Sequence, residues 1–241
     1  MIEKFDGIVL RTLRYSDNLM IADIFTRQHG RLSFLVPVSR SRRSKVRSTL
    51  FQPLAMLSFT APLKRAVSLS RINDVQPYVV YSTITSDVIK SSIAMFISEL
   101  LSHSLREGGE DEQLFAFLSQ SIAFFDSLED GYANFHLVFM VQLLHFLGIY
   151  PNLDNAGPRS YFDLMQGCAV NEYPMHSNFI GQEMTQSFVS LLETDYMTMH
   201  ELVLNRKLRG EYLAILVSYY RLHVPDFPVL KSMDVLKVLF D

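Results

Sequence analysis

The sequence has little cysteine and none of the glycine motifs that usually hold phosphates or nucleophiles. Cys168 is the single cysteine among 241 residues, which excludes a disulfide framework and a four-cysteine zinc site. None of the ten glycines precedes Lys-Ser or Lys-Thr, and neither G-x-G-x-x-G nor G-x-S-x-G occurs. A P-loop ATPase, a dinucleotide-binding fold and a nucleophile elbow are therefore not indicated.

A metal-dependent active site is not indicated either. His200 and Glu201 begin like the zinc motif H-E-x-x-H, but Leu204 stands where the second histidine belongs. The other histidines are isolated, and Cys168 lies beside small apolar residues, as a buried cysteine usually does. We predict no catalytic residue, no metal, no cofactor and no enzymatic activity.

Long hydrophobic runs are also missing. The most apolar stretch, residues 135–150, includes His136, Gln142 and His145 and is shorter than the roughly 20 apolar residues of a membrane span. A buried core helix is the better interpretation. The first residues are of mixed charge and lack the apolar core of a signal peptide, so we expect an intracellular protein.

Charge is distributed unevenly along the chain. Residues 1–80 contain 13 Lys and Arg against 5 Asp and Glu, whereas the remainder contains 9 against 20. Five cations without an acid fall within residues 40–47, and they are Arg40, Arg42, Arg43, Lys45 and Arg47. We call this segment the basic run. A basic head on an acidic body suggests a polyanionic partner for the head.

The first 80 residues have the pattern of a small β unit. Five short apolar or β-branched runs (residues 8–13, 19–26, 32–36, 54–60 and 66–75) are separated by turn signals. A five-stranded barrel of the OB type fits this count, although periodicity alone does not separate it from an SH3-like barrel. The basic run connects the third and fourth of these strands.

From about residue 85 the apolar period becomes helical. Helices are predicted over residues 88–105, 112–128, 133–148, 183–196, 205–223 and 232–240. Residues 151–174 contain three prolines and two glycines and are predicted to form an irregular insert, held by packing of its aromatic residues. The expected architecture is thus α+β with two domains, an OB-type barrel in residues 1–80 and an all-α domain in residues 81–241.

A cationic loop on a barrel predicts phosphate binding. The five cations of the basic run are the candidate DNA contacts, and Arg14, Arg31 and Arg71 are the secondary candidates because they belong to the same compact unit. The alternative is a loop that is merely solvated. Each aromatic residue of the unit is more often a core residue than a base-stacking one.

The order of several short motifs resembles a known family. Residues 15–19 (Tyr-Ser-Asp-Asn-Leu), residues 25–30 (Phe-Thr-Arg-Gln-His-Gly), the basic run and Gln52-Pro53 are similar to the N-terminal domain of the bacterial recombination mediator family RecO. Leu-Gly-Ile-Tyr-Pro at residues 147–151 resembles the end of the third helix in the same family. The resemblance spans nearly the whole chain.

The resemblance implies an OB-fold DNA-binding domain followed by a helical domain. It also implies binding of single- and double-stranded DNA, annealing without ATP, and assistance with RecR in loading RecA onto DNA coated by single-strand-binding protein (SSB), whose C-terminal tail is contacted. A cytoplasmic, nucleoid-associated location follows from the same resemblance. Many relatives carry two Cys-x-x-Cys pairs after the third helix, whereas this chain has Cys168 alone, so we predict no structural zinc.

Three hypotheses remain open from the sequence. The acidic helical part offers only the cluster Arg206, Lys207 and Arg209 as a further DNA surface or as a rim for an acidic tail. A second reading is a non-enzymatic module whose basic loop docks an acidic protein. A membrane as the partner is disfavoured, because the sequence contains no amphipathic cationic helix. A nuclease would need clustered carboxylates, and the five acids of the β unit are scattered.

Overall fold

The structure, a computed structural model, describes residues 2–38, 46–62, 69–105, 109–154 and 156–240, with side chains described through Leu236. The strands are β1 (Ile2–Arg14), β2 (Leu19–Thr26), β3 (Gly30–Pro37), β4 (Met56–Pro62), β5 (Ser70–Arg71), β6 (Asn73–Pro77), β7 (Tyr161–Asp163), β8 (Cys168–Val170) and β9 (Phe179–Ile180). The helices are α1 (Val88–Ser104), α2 (Glu112–Ser127), α3 (Phe135–Phe146), α4 (Gln182–Leu192), α5 (Arg206–His223) and α6 (Ser232–Phe240).

The strands β1 to β6 form one sheet in the order β5-β3-β2-β1-β4-β6. Only Ile72 separates β5 from β6, and its N–H donates to the carbonyl of Leu35 at 2.9 Å. Residues 70–77 therefore act as one last strand that pairs in parallel with β3 and antiparallel with β4, joining the two edges of the sheet. Parallel pairing requires a crossover connection, which a meander of hairpins does not provide.

This topology confirms the predicted fold class, an OB-type β unit followed by helices. It also decides against the SH3-like alternative. The fifth strand differs from the prediction in being split at Ile72, where the chain leaves the edge of β3 for the edge of β4. The split results from the change of partner strand, which the hydrophobic pattern of the sequence does not indicate.

Aromatic rings fill the barrel. The ring centroids of Phe5 and Phe59 are 5.3 Å apart, and Phe34 packs edge-on to both at 5.5 and 5.0 Å. Gly7 allows β1 to pass close to β2, because a Cβ there would lie 2.4 Å from the Cγ2 of Ile24. Most aromatic residues of the β unit are thus buried in the core, where edge-to-face and stacked ring pairs are favourable.

The described helices confirm the six predicted from periodicity, with small differences at their ends. The largest is at α4, which ends at Leu192 instead of continuing to residue 196. Helix α3 buries nine of its twelve residues, which confirms the core helix predicted for the most apolar stretch. His136 is fully buried in it, and burial lowers its pKa to about 3, so the ring stays neutral. None of the helices in the described ranges has the length and hydropathy of a bilayer span.

The chain divides into two compact units. The first comprises residues 1–127 with 230–236, and the second comprises residues 128–229 with 237–241. The first unit contains the barrel together with α1 and α2, so the barrel does not stand alone. The proposed domain boundary near residue 80 stays a prediction.

In the second unit, the insert predicted to be irregular contains a small antiparallel sheet in the order β8-β7-β9. Strands of two or three residues are too short to show a period, which is why the sequence did not reveal them. The carboxylate of Asp163 holds the turn between β7 and β8. It accepts from the N–H groups of Met165 (2.8 Å) and Gln166 (3.0 Å), from the Gln166 amide (2.9 Å) and from His176 Nε2 (3.1 Å).

Asp163→Ala is expected to lower the free energy of unfolding by about 1–3 kcal/mol, because it removes a buried carboxylate that accepts four hydrogen bonds. Burial raises the pKa of Asp163, but the hydrogen bonds from Gln166, Met165 and His176 outweigh it and the net pKa is lowered. The stabilisation is therefore present above the pKa of the unfolded carboxyl and is lost as pH falls through the lower, folded value. Amide hydrogen exchange should localise the loss to residues 161–180.

Asp154→Ala is the matched control, since Asp154 is an exposed carboxylate of the same insert. If the amides of residues 161–180 are equally protected from hydrogen exchange in the two variants, packing alone holds the insert, as the aromatic pattern of the sequence suggested.

Candidate nucleic-acid interface

A cleft of about 970 Å³ opens on the barrel beside the turn that joins β1 to β2. Two of the secondary candidate cations, Arg14 and Arg71, line it. The residues that line the cleft are Thr12, Leu13, Arg14, Asp17, Asn18, Met20, Pro37, Val38, Ser48 and Arg71. The cleft therefore combines cationic, polar and apolar groups.

Residues on either side of the basic run in the sequence line this cleft. Val38, the last residue described before the run, and Ser48, which follows Arg47, both line it. Val46 is buried in the barrel core and anchors the far end, while Arg47 is exposed. Arg40, Arg42, Arg43 and Lys45 lie outside the described residues.

Hydrogen bonds fix the backbone of the cleft wall. The N–H groups of Tyr15 and Ser16 both donate to the carbonyl of Leu19, at 3.0 and 2.9 Å. The N–H of Val38 donates to the carbonyl of Asn18 at 2.8 Å, which ties the turn to the end of β3. The wall is thus pre-formed, and a ligand need not order it.

Arg14 is available to an anionic ligand. Its guanidinium contacts Asp17 at 3.0 Å, but both side chains are largely exposed. Exposed pairs of this kind contribute about 0–1 kcal/mol and are screened by salt. A phosphate can therefore replace Asp17 at little cost.

Arg31 lies apart from the cleft and has a structural role. Its guanidinium donates to the carbonyls of Ser102 (2.6 Å) and Leu105 (3.0 Å) at the end of α1 and to Asp23 (3.3 Å). Only 18% of its side chain is exposed. A cation that caps helix carbonyls and joins a buried carboxylate has little capacity left for DNA, so Arg31 is a weaker candidate contact than Arg14 and Arg71.

Two further cations of the β unit serve the same packing. Arg11 binds the buried Asp23 at 2.8 Å, and the guanidinium of Arg27 lies 5.0 Å from the ring centroid of Phe115 on α2. Burial raises the pKa of Asp23, but hydrogen bonds from Ser33 and Arg11 and the charges of Arg11 and Arg31 bring the net pKa below its usual value. Arg11 and Arg27 are therefore engaged in contacts within the first unit.

The cationic cluster on α5 is also partly used within its own unit. Arg209 donates to the side chain of Asn134 at 2.9 Å and to the carbonyl of Leu204 at 3.1 Å. Lys207 is exposed and lies 3.8 Å from Glu211. This cluster offers less free charge than its sequence suggested.

Cys168 is a free thiol on β8, and burial raises its pKa. Across the described ranges, no three His, Cys, Asp or Glu side chains gather closely enough to hold a metal ion. The structure thus offers no donor set there, and the predicted lack of zinc stays a prediction.

Sequence reasoning missed the apolar part of the cleft and the exposure of Tyr15. Leu13 is about half-exposed and lines the cleft, and Tyr15 follows Arg14 in the same turn. Tyr15 is the first residue of the motif at residues 15–19, and Leu13 ends the first apolar run, residues 8–13. Exposure itself depends on which residues the barrel closes around.

The fold and the cleft define a class: an OB-type barrel with a cationic cleft, joined to a helical part. Comparison with known proteins identifies the family. The family described as "Recombination protein O N terminal" matches residues 1–81, and "Recombination protein O C terminal" matches residues 85–233. The chain belongs to the RecO family.

Full-length relatives agree with this assignment. The chain is 45% identical over 240 residues to a protein of Phocaeicola vulgatus named "DNA repair protein RecO", with 100% of both chains covered. It is 44% identical over 242 residues to the protein of that name from Bacteroides fragilis, again with full coverage. A relative of that name from Porphyromonas gingivalis is 36% identical over 98% of each chain.

Proposed function

We propose that this protein is a non-enzymatic, DNA-binding mediator of recombinational repair. Membership of the RecO family supports a role in DNA repair and recombination. The observation that carries the DNA contact is the cleft: Val38 and Ser48, which flank the five-cation run in the sequence, line it together with Arg14 and Arg71. Backbone phosphates are the ligand for which such a surface is suited.

The proposed interface comprises the cations of the basic run together with Arg14 and Arg71. The cations of the run neutralise phosphates, and the serines between them donate hydrogen bonds to phosphate oxygens. Arg31 is left out because its guanidinium is mostly buried and donates to carbonyls at the end of α1 and to Asp23. Single- and double-stranded DNA share the phosphate backbone, so this part of the surface accepts both.

Annealing follows from the same electrostatics. Cations that contact two complementary strands at once lower the repulsion between them, which accelerates pairing without ATP. In the cell, we propose, the protein acts with RecR to load RecA on SSB-coated DNA and contacts the acidic SSB tail. This activity places it in the cytoplasm, associated with the nucleoid.

The test is fluorescence anisotropy of a labelled single-stranded oligonucleotide at several salt concentrations. If about five phosphates are neutralised, the logarithm of the association constant should fall with the logarithm of salt with a slope of roughly −3.5. No binding at low salt would overturn the proposal. Displacement by short acidic peptides but not by unlabelled oligonucleotide would favour a module that docks an acidic protein.

A further inference from the structure

Tyr15 is the exception among the aromatic residues of the barrel. Residues 1–77 contain six Phe and Tyr, and the five phenylalanines are each at most 4% exposed. Tyr15 is 64% exposed. Within the described part of the chain, no other aromatic ring is recorded in contact with its ring. The fold therefore presents this ring to solvent from a barrel whose five phenylalanines are all buried.

The turn that carries Tyr15 is also a wall of the cleft. Leu13, Arg14, Asp17 and Asn18 line the cleft on either side of Tyr15 in the sequence. The N–H of Tyr15 donates to the carbonyl of Leu19, so the backbone that presents the ring is fixed. An aromatic ring on a rigid turn loses little conformational freedom when it binds a flat ligand.

The cleft that contains Arg14 and Arg71 also has apolar lining residues. Leu13 is about half-exposed, and Met20, Pro37 and Val38 line the cleft with it. A nucleic-acid duplex keeps its bases stacked in its interior and offers mainly phosphates to a cleft. Apolar side chains and an exposed ring gain nothing from phosphates, whereas unpaired bases stack on such surfaces.

We infer that Tyr15 stacks on an unpaired base of a nucleic-acid single strand whose phosphates lie on Arg14 and Arg71. The inference rests on the proposed function, which it deepens: it names the residue that contacts the base and gives single strands a contact that a duplex lacks. The two arginines favour a polyanion because their charges complement its phosphates. The Tyr15 ring favours a single strand because only an unpaired base can stack on it. Stacking is tolerant of sequence, because every base has a π-face.

The experiment separates the base from the phosphate. The full-length protein is titrated with a deoxythymidine oligonucleotide of about 16 nucleotides, the upper end of OB-domain site sizes. A second oligonucleotide of equal length carries abasic tetrahydrofuran units in place of the thymidines. The wild type is expected to bind the thymidine strand about 5- to 100-fold more tightly than the abasic strand, as one base stack contributes this much.

Tyr15→Leu is expected to reduce that ratio towards one while leaving affinity for the abasic strand unchanged. Tyr15→Phe keeps the ring and should keep the ratio. Tyr173→Leu is the matched control, because Tyr173 has the same 64% exposure but lies on the insert of the second unit. Photocrosslinking with 5-iododeoxyuridine should label Tyr15 directly.

The outcomes distinguish the two proposals. Equal wild-type affinity for both oligonucleotides, or a Tyr15→Leu variant that keeps the wild-type ratio, overturns the stacking inference and leaves the phosphate site standing. If Tyr15→Leu loses the same affinity for both oligonucleotides, Tyr15 has a structural role, and the stacking inference is overturned as well. If the wild type binds neither strand at low salt, the proposed function fails and the inference fails with it.

Discussion

Alanine at all five cations of the basic run is expected to weaken oligonucleotide binding on the order of 100-fold at low salt and to flatten the salt dependence. The reason is counterion release, since each cation lost leaves one phosphate without neutralisation. The loss should be uniform across sequences, because phosphates carry no base information. Anisotropy titrations of wild type and variant at several salt concentrations measure both the affinity and the slope.

A control variant separates local contact from net charge. It replaces five exposed cations elsewhere with alanine: Arg159, Arg206, Lys207, Arg221 and Lys231. This variant has the same net charge as the first but keeps the basic run. If the two variants lose affinity equally, the basic run is not the site and only the overall charge of the protein matters.

Asp126→Ala is expected to lower the free energy of unfolding by about 3–5 kcal/mol, the largest stability effect we foresee. Asp126 lies near the end of α2 and is only 8% exposed. Its carboxylate accepts the N–H groups of Ser82 (2.8 Å), Thr83 (2.9 Å) and Ile84 (2.9 Å) in the turn that precedes α1. The alanine leaves these donors without an acceptor. Urea unfolding of wild type and variant measures the difference.

The buried Lys90 extends this network. Its Nζ donates to the hydroxyl of Thr83 (2.7 Å) and to the carbonyls of Phe125 (3.1 Å) and Asp126 (3.2 Å), while the side chain is almost fully buried. The cation thus lies against carbonyls of the last turn of α2, where the helix dipole favours positive charge. Together the two residues join the turn that precedes α1 (residues 82–84, here called the connector) to α1 and α2 within the first unit.

Lowering the pH should reproduce part of the loss of stability expected for Asp126→Ala. Burial raises the pKa of Asp126, but the N–H groups of Ile84, Ser82 and Thr83 outweigh it and lower the pKa to about 2. The pKa in the folded state is below the ordinary 3.8, so the stabilisation is present above about pH 4 and is lost between pH 4 and pH 2. The variant should show a smaller loss of stability over this interval than the wild type.

Asp130→Ala provides the control, because Asp130 is an exposed carboxylate four residues further along the chain. It should change the free energy of unfolding by less than about 0.5 kcal/mol. A similar small effect from Asp126→Ala would mean that water replaces the carboxylate and that the connector is not held by it.

The sequence by itself determined the fold class and the placement of the elements. Periodicity changes from two to helical near residue 85, and this change separates the barrel from the helices because it records which faces are buried. The position of the basic run between β3 and β4 is also a property of the sequence, as is the family resemblance that the comparisons confirmed. Each of these depends on local pattern and chain order alone.

Only the tertiary structure decided which cations remain free. Arg14, Arg31 and Arg71 are indistinguishable in the sequence, yet Arg31 caps α1 seventy residues away while Arg14 and Arg71 line the cleft. The buried Asp163 and Asp126, and the exposure of Tyr15, were equally hidden. The physical reason is that hydrogen-bond partners and solvent exposure depend on contacts between residues distant in the chain, which are set when the barrel closes and the helices pack.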